Sequence, residues 1–350
     1  MKSPLQQILR YVVSLALMAS FLYWAFKDID ADALWAAMNE ASILWLGIIT
    51  LTTLITIALR AWRWIVLMRP FTTSVTVWDA SLALAVCYGA NFFLPRSGEA
   101  LRVVSLKWRH SLSTGSTAAT VVVERIIDLV WLIVLFAVAV VLLQGRIEAA
   151  FPKWEPFMGP FIVAALAACI GLLALLSVIS IYRDRALDVV GRILRPLPAK
   201  LSKPIVDTLS TFSHGLEALH TPSAYLEILL ISLLLNAGYI LIIYESFVAF
   251  GFDITYNLGP LESLVVMAVS SIGMVVPVPG GTGTYHVMFS RALLLLFSVP
   301  LTAALACATA VHALANLLYV GLAVPALLLL RRQRDQHDQR GEKQEAHGGA

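Results

Sequence analysis

Six stretches of this chain, residues 8–26, 43–67, 115–143, 158–181, 224–250 and 301–330, are apolar over about the 20 residues that a helix needs to cross a bilayer. Hydrocarbon cannot satisfy backbone N–H and C=O groups, so segments of that kind must form helices that satisfy their own. Composition points the same way: 59% of residues are hydrophobic and 13% charged, against roughly 25% charged in soluble domains. The charges are too few to cover a globular surface. We therefore expect an all-α, polytopic integral membrane protein, and the net charge of +3 gives no reason to expect a nucleic-acid partner. Cys87, Cys169 and Cys307 sit inside apolar stretches without C-x-x-C spacing, which suggests packing rather than a disulfide or a metal site. Lys2 and Arg10 precede the first apolar run as in a secretory signal. That run ends in Lys-Asp-Ile-Asp rather than a small-residue cleavage site, so it reads as a retained span.

Between the full spans lie two broken pieces, residues 78–109 and 261–298. The first contains GANFFLPRSGEALRVVSLKWR (89–109) and the second GMVVPVPGGTGTYHVMFSR (273–291). Pro and Gly interrupt each where a helix would otherwise continue. Arg60, Arg63 and Arg69 are read as following the second span, Arg183 to Lys203 the fourth, and Arg331, Arg332 and Arg334 the last. The positive-inside rule makes those sides, and both termini, cytoplasmic. On that assignment the first broken piece enters and returns on the cytoplasmic face, and the second does the same from the outside. Two re-entrant hairpins of opposite orientation imply a polar cavity between them, because non-helical backbone at membrane depth needs protein or water around it. The alternative is a pair of ordinary spans kinked at proline.

Sliding the chain by 184 residues places Gly89 on Gly273, Pro95 on Pro279, Arg102 on His286 and Lys107 on Arg291; one further residue places Thr117-Ala118-Ala119 on Thr302-Ala303-Ala304. The order span, span, hairpin, span recurs, so residues 8–143 and 158–330 read as an inverted repeat within one membrane domain (1–330), the plan of many secondary transporters. Residues 201–220 space Ile205, Leu209, Phe212, Leu216 and Leu219 as an amphipathic helix on the cytoplasmic face, or equally as a soluble linker helix. The polar tail 331–350 is expected to be disordered.

Polar groups within or beside the breaks are the candidate site. Glu99 and Arg102, three apart past Pro95, can share a helix face and pair. Glu124, Arg125 and Asp128 sit in a long apolar span, where each ionised group costs about 2.5–3.5 kcal/mol at the centre; we expect them to be paired, the alternative being that the span projects into water. In the second piece Gly280, Gly281 and Gly283 prevent regular helix, and the freed amides with the start of the next helix offer an anion site, followed by Tyr285, His286 and Arg291. PGGTGT lacks the Lys and Ser/Thr of a nucleotide-binding loop. Asn236 and Glu245 are candidates for the cavity wall.

The run N-x-x-L-P-x-x-x-G-E-x-x-R (Asn91, Leu94, Pro95, Gly98, Glu99, Arg102), the sequence E-R-x-x-D (Glu124, Arg125, Asp128) and P-x-P-G-G-x-G (Pro277 to Gly283) together resemble the lysylphosphatidylglycerol synthase transmembrane-region family, also called flippase-like, over most of residues 8–330. The resemblance implies a multi-pass protein of a bacterial or archaeal inner membrane; in the best-known relatives this region moves an aminoacylated phospholipid between leaflets. Many members carry Glu where this chain has His286. The synthases of that family add a soluble transferase domain; only about 20 residues follow Arg331 here, far below domain size, so a stand-alone membrane domain is expected.

Two functions follow as expectations. One is a flippase or transporter in which Arg96, Arg102 and Arg125 bind the head group of a phospholipid or lipid-linked substrate, with Asn91 nearby. The other is an intramembrane lipid-modifying enzyme, or an accessory subunit of a lipid glycosyltransferase system, with Glu99, Glu124 or Asp128 as general base. No nucleophile, metal or nucleotide motif is present, so no cofactor is expected and transport is favoured. A homo-oligomer and a separate lipid-modifying enzyme are further partners compatible with this reading.

Overall fold

The computed structural model describes residues 4–110, 112–150, 153, 155–195, 198, 210 and 222–348. They form helices α1 (Pro4–Phe26), α2 (Ala31–Asn39), α3 (Ile43–Met68), α4 (Val77–Phe93), α5 (Gly98–Lys107), α6 (Thr114–Leu142), α7 (Gln144–Ala150), α8 (Glu155–Ile181), α9 (Arg183–Leu194), α10 (Pro222–Ala249), α11 (Phe252–Thr255), α12 (Pro260–Val275), α13 (Thr284–Phe297) and α14 (Leu301–Gly348). Five of these, α1, α3, α6, α10 and α14, are long and apolar enough to cross a membrane. The protein is an all-α, multi-pass membrane protein. Apart from residue 210, the expected amphipathic helix at 201–220 lies outside the described residues.

Both broken pieces fold back on themselves as hairpins. In the first, Leu94–Ser97 is a turn closed by Ser97 N–H to Leu94 O at 3.1 Å, with Pro95 second and Arg96 third at φ +63°, the residue order of a type II turn. Asn91 Oδ1 accepts the Gly98 amide at 2.9 Å and so stitches α5 to α4. At the other end of the hairpin, buried Asp79 at the start of α4 pairs with Arg109 and lies 3.2 Å from His110 Nε2, just past the end of α5. The two ends of the piece therefore meet. In the second hairpin, Gly280, Gly281 and Gly283 take φ of +57°, +72° and +90°, where a Cβ is disfavoured, and Gly273 packs against the Thr284 backbone.

Helix α14 shows how the hairpins are opposed. Read from its start, Leu305 to Val311 pack in clusters with α1, α12 and α13; His312 reaches the turn at Gly280; Tyr319 stacks on Tyr88 of α4; and Ala326 and Leu330 pack on Leu82, Ala85 and Val86 near the start of α4. One helix, at 1.5 Å per residue, thus passes the base of the second hairpin, both tips and then the base of the first. Helices α3 and α6 repeat the pattern. Ile49, Leu135 and Ala139 join the core around the second hairpin, whereas Ala61, Trp64, Met68 and Val121 join the core around the first. The hairpins enter from opposite ends and meet tip to tip, where Arg96 Nη2 donates to Val275 O at 3.0 Å.

Among the helices, α3 packs on α10, α4 on α14 and α6 on α12. Of the outer spans, α1 packs on α13 while α8 packs on α6. The tail departs from expectation. Helix α14 runs through Gly348, because Arg, Gln, Lys and Glu are good helix formers and no proline follows Pro325.

Candidate functional site

Behind the first hairpin, seven ionisable side chains from α3, α5 and α6 form one cluster. Glu124 of α6 is fully buried. It accepts from Arg60 Nε at 2.8 Å, Arg102 Nη1 at 3.1 Å and Arg125 Nη2 at 3.2 Å, with Arg63 Nη2 at 3.8 Å. Asp128, one turn further along α6, takes Arg60 Nη2 at 2.5 Å, Arg63, and Arg125 Nη1 at 3.6 Å. Glu99 of α5 is 3.7 Å from Arg125 Nε and accepts from Cys87 Sγ at 2.9 Å. The expected pairing of Glu124, Arg125 and Asp128 is present, and these charges are not simply wet.

Two sequence expectations change. Glu99 and Arg102 do not pair, because Arg102 turns inward onto Glu124 and lies over the Trp64 ring at 4.7 Å, while Glu99 stays at the edge beside Arg125. Arg60 and Arg63 are not flanking residues. They lie eight and five residues before the end of α3, buried, with Arg60 Nη1 3.4 Å from the Tyr239 hydroxyl and Arg63 Nη1 donating to Ser232 Oγ at 3.1 Å. A lipid-facing span cannot carry two bare arginines, and their spacing of three, one helix face as for Glu124 and Asp128 four apart on α6, was the signal that would have identified them.

The cluster has a buried floor and an accessible rim. Arg63, Arg102 and Glu124 are closed off, whereas the side chains of Glu99, Asp128 and Arg125 are 30%, 31% and 42% exposed. Four arginines face three carboxylates, so the ionised cluster carries one positive charge in excess. Among the described residues Arg102 Nε and Nη2 and Arg63 Nε have no partner, so the floor of the cluster holds more donors than its own acids use. Arrangements of this kind suit an anionic or zwitterionic group presented at the rim.

The second hairpin is arranged differently. The carbonyls freed at its turn are taken by side chains of three other elements: Val275 by Arg96, Pro277 by Ser14, and Gly280 by His312 Nε2 at 2.9 Å. Of the amides expected to bind an anion, those of Gly281 and Gly283 are engaged within the turn. Gly281 donates to Val278 O, Thr282 to Pro279 O, and Gly283 to His286 Nδ1 at 3.3 Å. His286 is therefore a buried cap of α13, packed near Phe26 and His312. Arg291 lies over Trp24 of α1, apart from the arginine cluster. Gly281 and Gly283 are tight against Met274 and against Phe21 and Met18 of α1. Tyr285 stacks on His312 at 5.0 Å. His312 and Asn316, four apart in an apolar span, were missed although polar groups at that depth are costly without partners. Asn236 donates to Ser232 O of its own helix at 2.8 Å.

Among the described residues no group of three His, Cys, Asp or Glu is placed to hold a metal ion. Comparison with curated proteins finds no match. The family model described as lysylphosphatidylglycerol synthase TM region matches residues 9–323, almost the whole membrane domain, and the chain belongs to that family, whose setting is the membrane and its lipids.

Proposed function

We propose that this protein moves a phospholipid or lipid-linked substrate between leaflets, the head group passing the arginine–carboxylate cluster while the acyl chains stay in the bilayer. The observation that carries the reading is the buried, net positive cluster with an accessible rim beside the point where two opposed hairpins meet. Arg125, Glu99 and Asp128 would receive the head group; Arg60, Arg63, Arg102 and Glu124 would hold the rim in place. Broken helices meeting between inverted halves are where transporters bind their cargo. A carrier is favoured over an enzyme because Glu124 and Asp128 are spent on arginines, Glu99 is engaged by Arg125 and Cys87 Sγ, and a general base needs a free lone pair aimed at substrate. We place the protein in a bacterial or archaeal inner membrane with both termini cytoplasmic, the orientation that Arg69 and Arg331 favour. A second copy or a separate lipid-modifying enzyme is compatible with this role.

The test is a fluorescent phospholipid in proteoliposomes containing only this protein. Leaflet exchange without a change of mass supports transport, and a product of altered mass would replace it with catalysis.

A further inference from the structure

Glu245 stands one turn before the end of α10, apart from the arginine cluster. It is 3% exposed. Its Oε1 accepts the Thr52 hydroxyl of α3 at 2.8 Å, and its Oε2 is buried with no partner among the described residues. No arginine, lysine or histidine among the described residues lies within ion-pair distance of it. Glu124 and Asp128 show what this protein does with a buried carboxylate: each meets at least three arginines. An ionised carboxylate without such partners is among the costliest groups to bury, and taking up a proton removes most of the cost.

The surroundings do not offer a counter-ion. Titratable groups near this end of α10 include Tyr244 beside it on α10, Arg60 and Arg63 on α3, Cys307 on α14, Glu262 on α12, and Asp253 and Tyr256 at α11, with Arg63 held by Glu124 and Asp128. Arg60 is committed to Glu124 and Asp128. Cys307 Sγ donates to Ser246 O, and Glu262 accepts the Gly259 amide. Asp253 has a buried oxygen of its own without a partner. On α10 itself Tyr239 is near Arg60. A metal cation fits poorly, since hard cations take about 6 oxygens and the neighbouring hydroxyls of Thr53 and Thr56 are used on the carbonyls of Ile49 and Thr53.

We propose that Glu245 is a proton-binding site, holding a proton in this conformation and releasing it to water when the seam between α3 and α10 opens, so that lipid movement is coupled to a proton gradient. On release the O–H bond breaks with its electron pair left on Oε2, and the proton passes to water. The seam joins the two halves of the repeat. Thr52 and Arg60 lie eight residues apart on α3, about 12 Å along the helix, so a shift of α3 is felt both at Glu245 and in the arginine cluster. The coupling half of the proposal rests on the lipid-transport reading; the proton site itself does not.

Two measurements separate the parts. Infrared difference spectra of the purified protein in nanodiscs, wild type against Glu245→Gln, should show a protonated carboxylic-acid carbonyl band at neutral pH that the variant lacks. No such difference overturns the site, whatever the protein transports. In proteoliposomes, a gradient of one pH unit should bias wild-type lipid exchange by up to about tenfold, and Glu245→Gln should exchange lipid without responding to it. Exchange that ignores the gradient in wild type, or responds equally in the variant, overturns the coupling; failure of any lipid to move while the infrared band is present overturns the transport reading and the coupling, and leaves the proton site standing.

Discussion

Neutralising Glu124 should cost far more than removing any one of its arginines. Arg102 is fully buried and has Glu124 as its only carboxylate among the described residues. Glu124→Gln would leave that guanidinium buried and unpaired, with Nε and Nη2 already lacking partners. Breaking a buried pair in this way costs about 3–5 kcal/mol. Arg102→Gln is not the mirror image, because Glu124 keeps Arg60 at 2.8 Å and Arg125 at 3.2 Å. The cost there is about that of losing one charge-assisted hydrogen bond, roughly 1.5–3 kcal/mol. In the double variant the unpaired guanidinium is gone, so it should be more stable than Glu124→Gln alone, with a coupling energy of about 1–3 kcal/mol. The assay is reversible unfolding in mixed micelles for wild type, both single variants and the double. A Glu124→Gln protein as stable as Arg102→Gln, or costs that simply add, would show that the cluster is hydrated and that its pairing holds nothing in place.

Asp79→Asn should loosen the base of the first hairpin by about 1–2 kcal/mol, since it weakens the Thr76 capping box and the links to Arg109 and His110; faster amide exchange confined to α4 and α5 would be the readout. Gly283→Ala should destabilise the second turn by at least about 1 kcal/mol, because φ is +90° and the new Cβ would lie 2.9 Å from Phe21 Cβ; an unchanged melting temperature would contradict the packing described. His286→Ala should cost about 1 kcal/mol as a lost cap of α13, measured by thermal unfolding, and should leave the pH profile of lipid exchange unaltered, since the ring is buried against Phe26 and His312 rather than facing an anion. Arg125→Gln, at the rim, should slow lipid exchange at least tenfold, about 1.4 kcal/mol, with little loss of stability.

The proline and glycine breaks foretold most of the architecture, for a reason that lies in the backbone. Pro95, Pro277 and Pro279 cannot extend a helix, and bilayer depth leaves few ways to satisfy the groups they free. The turns consequently formed where they were expected. Side-chain depth was harder to read. Arg60 and Arg63 resemble any pair of flanking arginines until the end of α3 is known, and helix ends are the least certain feature of a sequence reading. The second turn misled for a related reason: glycines that free amides also let the turn satisfy them locally, and here Gly281 and Thr282 donate to backbone carbonyls and Gly283 to the His286 ring. His312 and Asn316 escaped notice because two polar residues barely lower the apolarity of a long span. Their spacing of four, one face of a helix, was the clue.

Opposite entry of the two hairpins is the feature on which the site, the repeat and the transport reading all depend. Single cysteines at Lys107, exposed at the end of α5, and at Ile254, 86% exposed on α11, report the two bases, and the chain's own Cys87, Cys169 and Cys307 are buried and should stay silent. With a membrane-impermeant thiol reagent applied to sealed right-side-out and inverted vesicles, the two positions should label from opposite faces. Labelling of both from the same face would contradict the opposed hairpins and, with them, the proposed path for the head group.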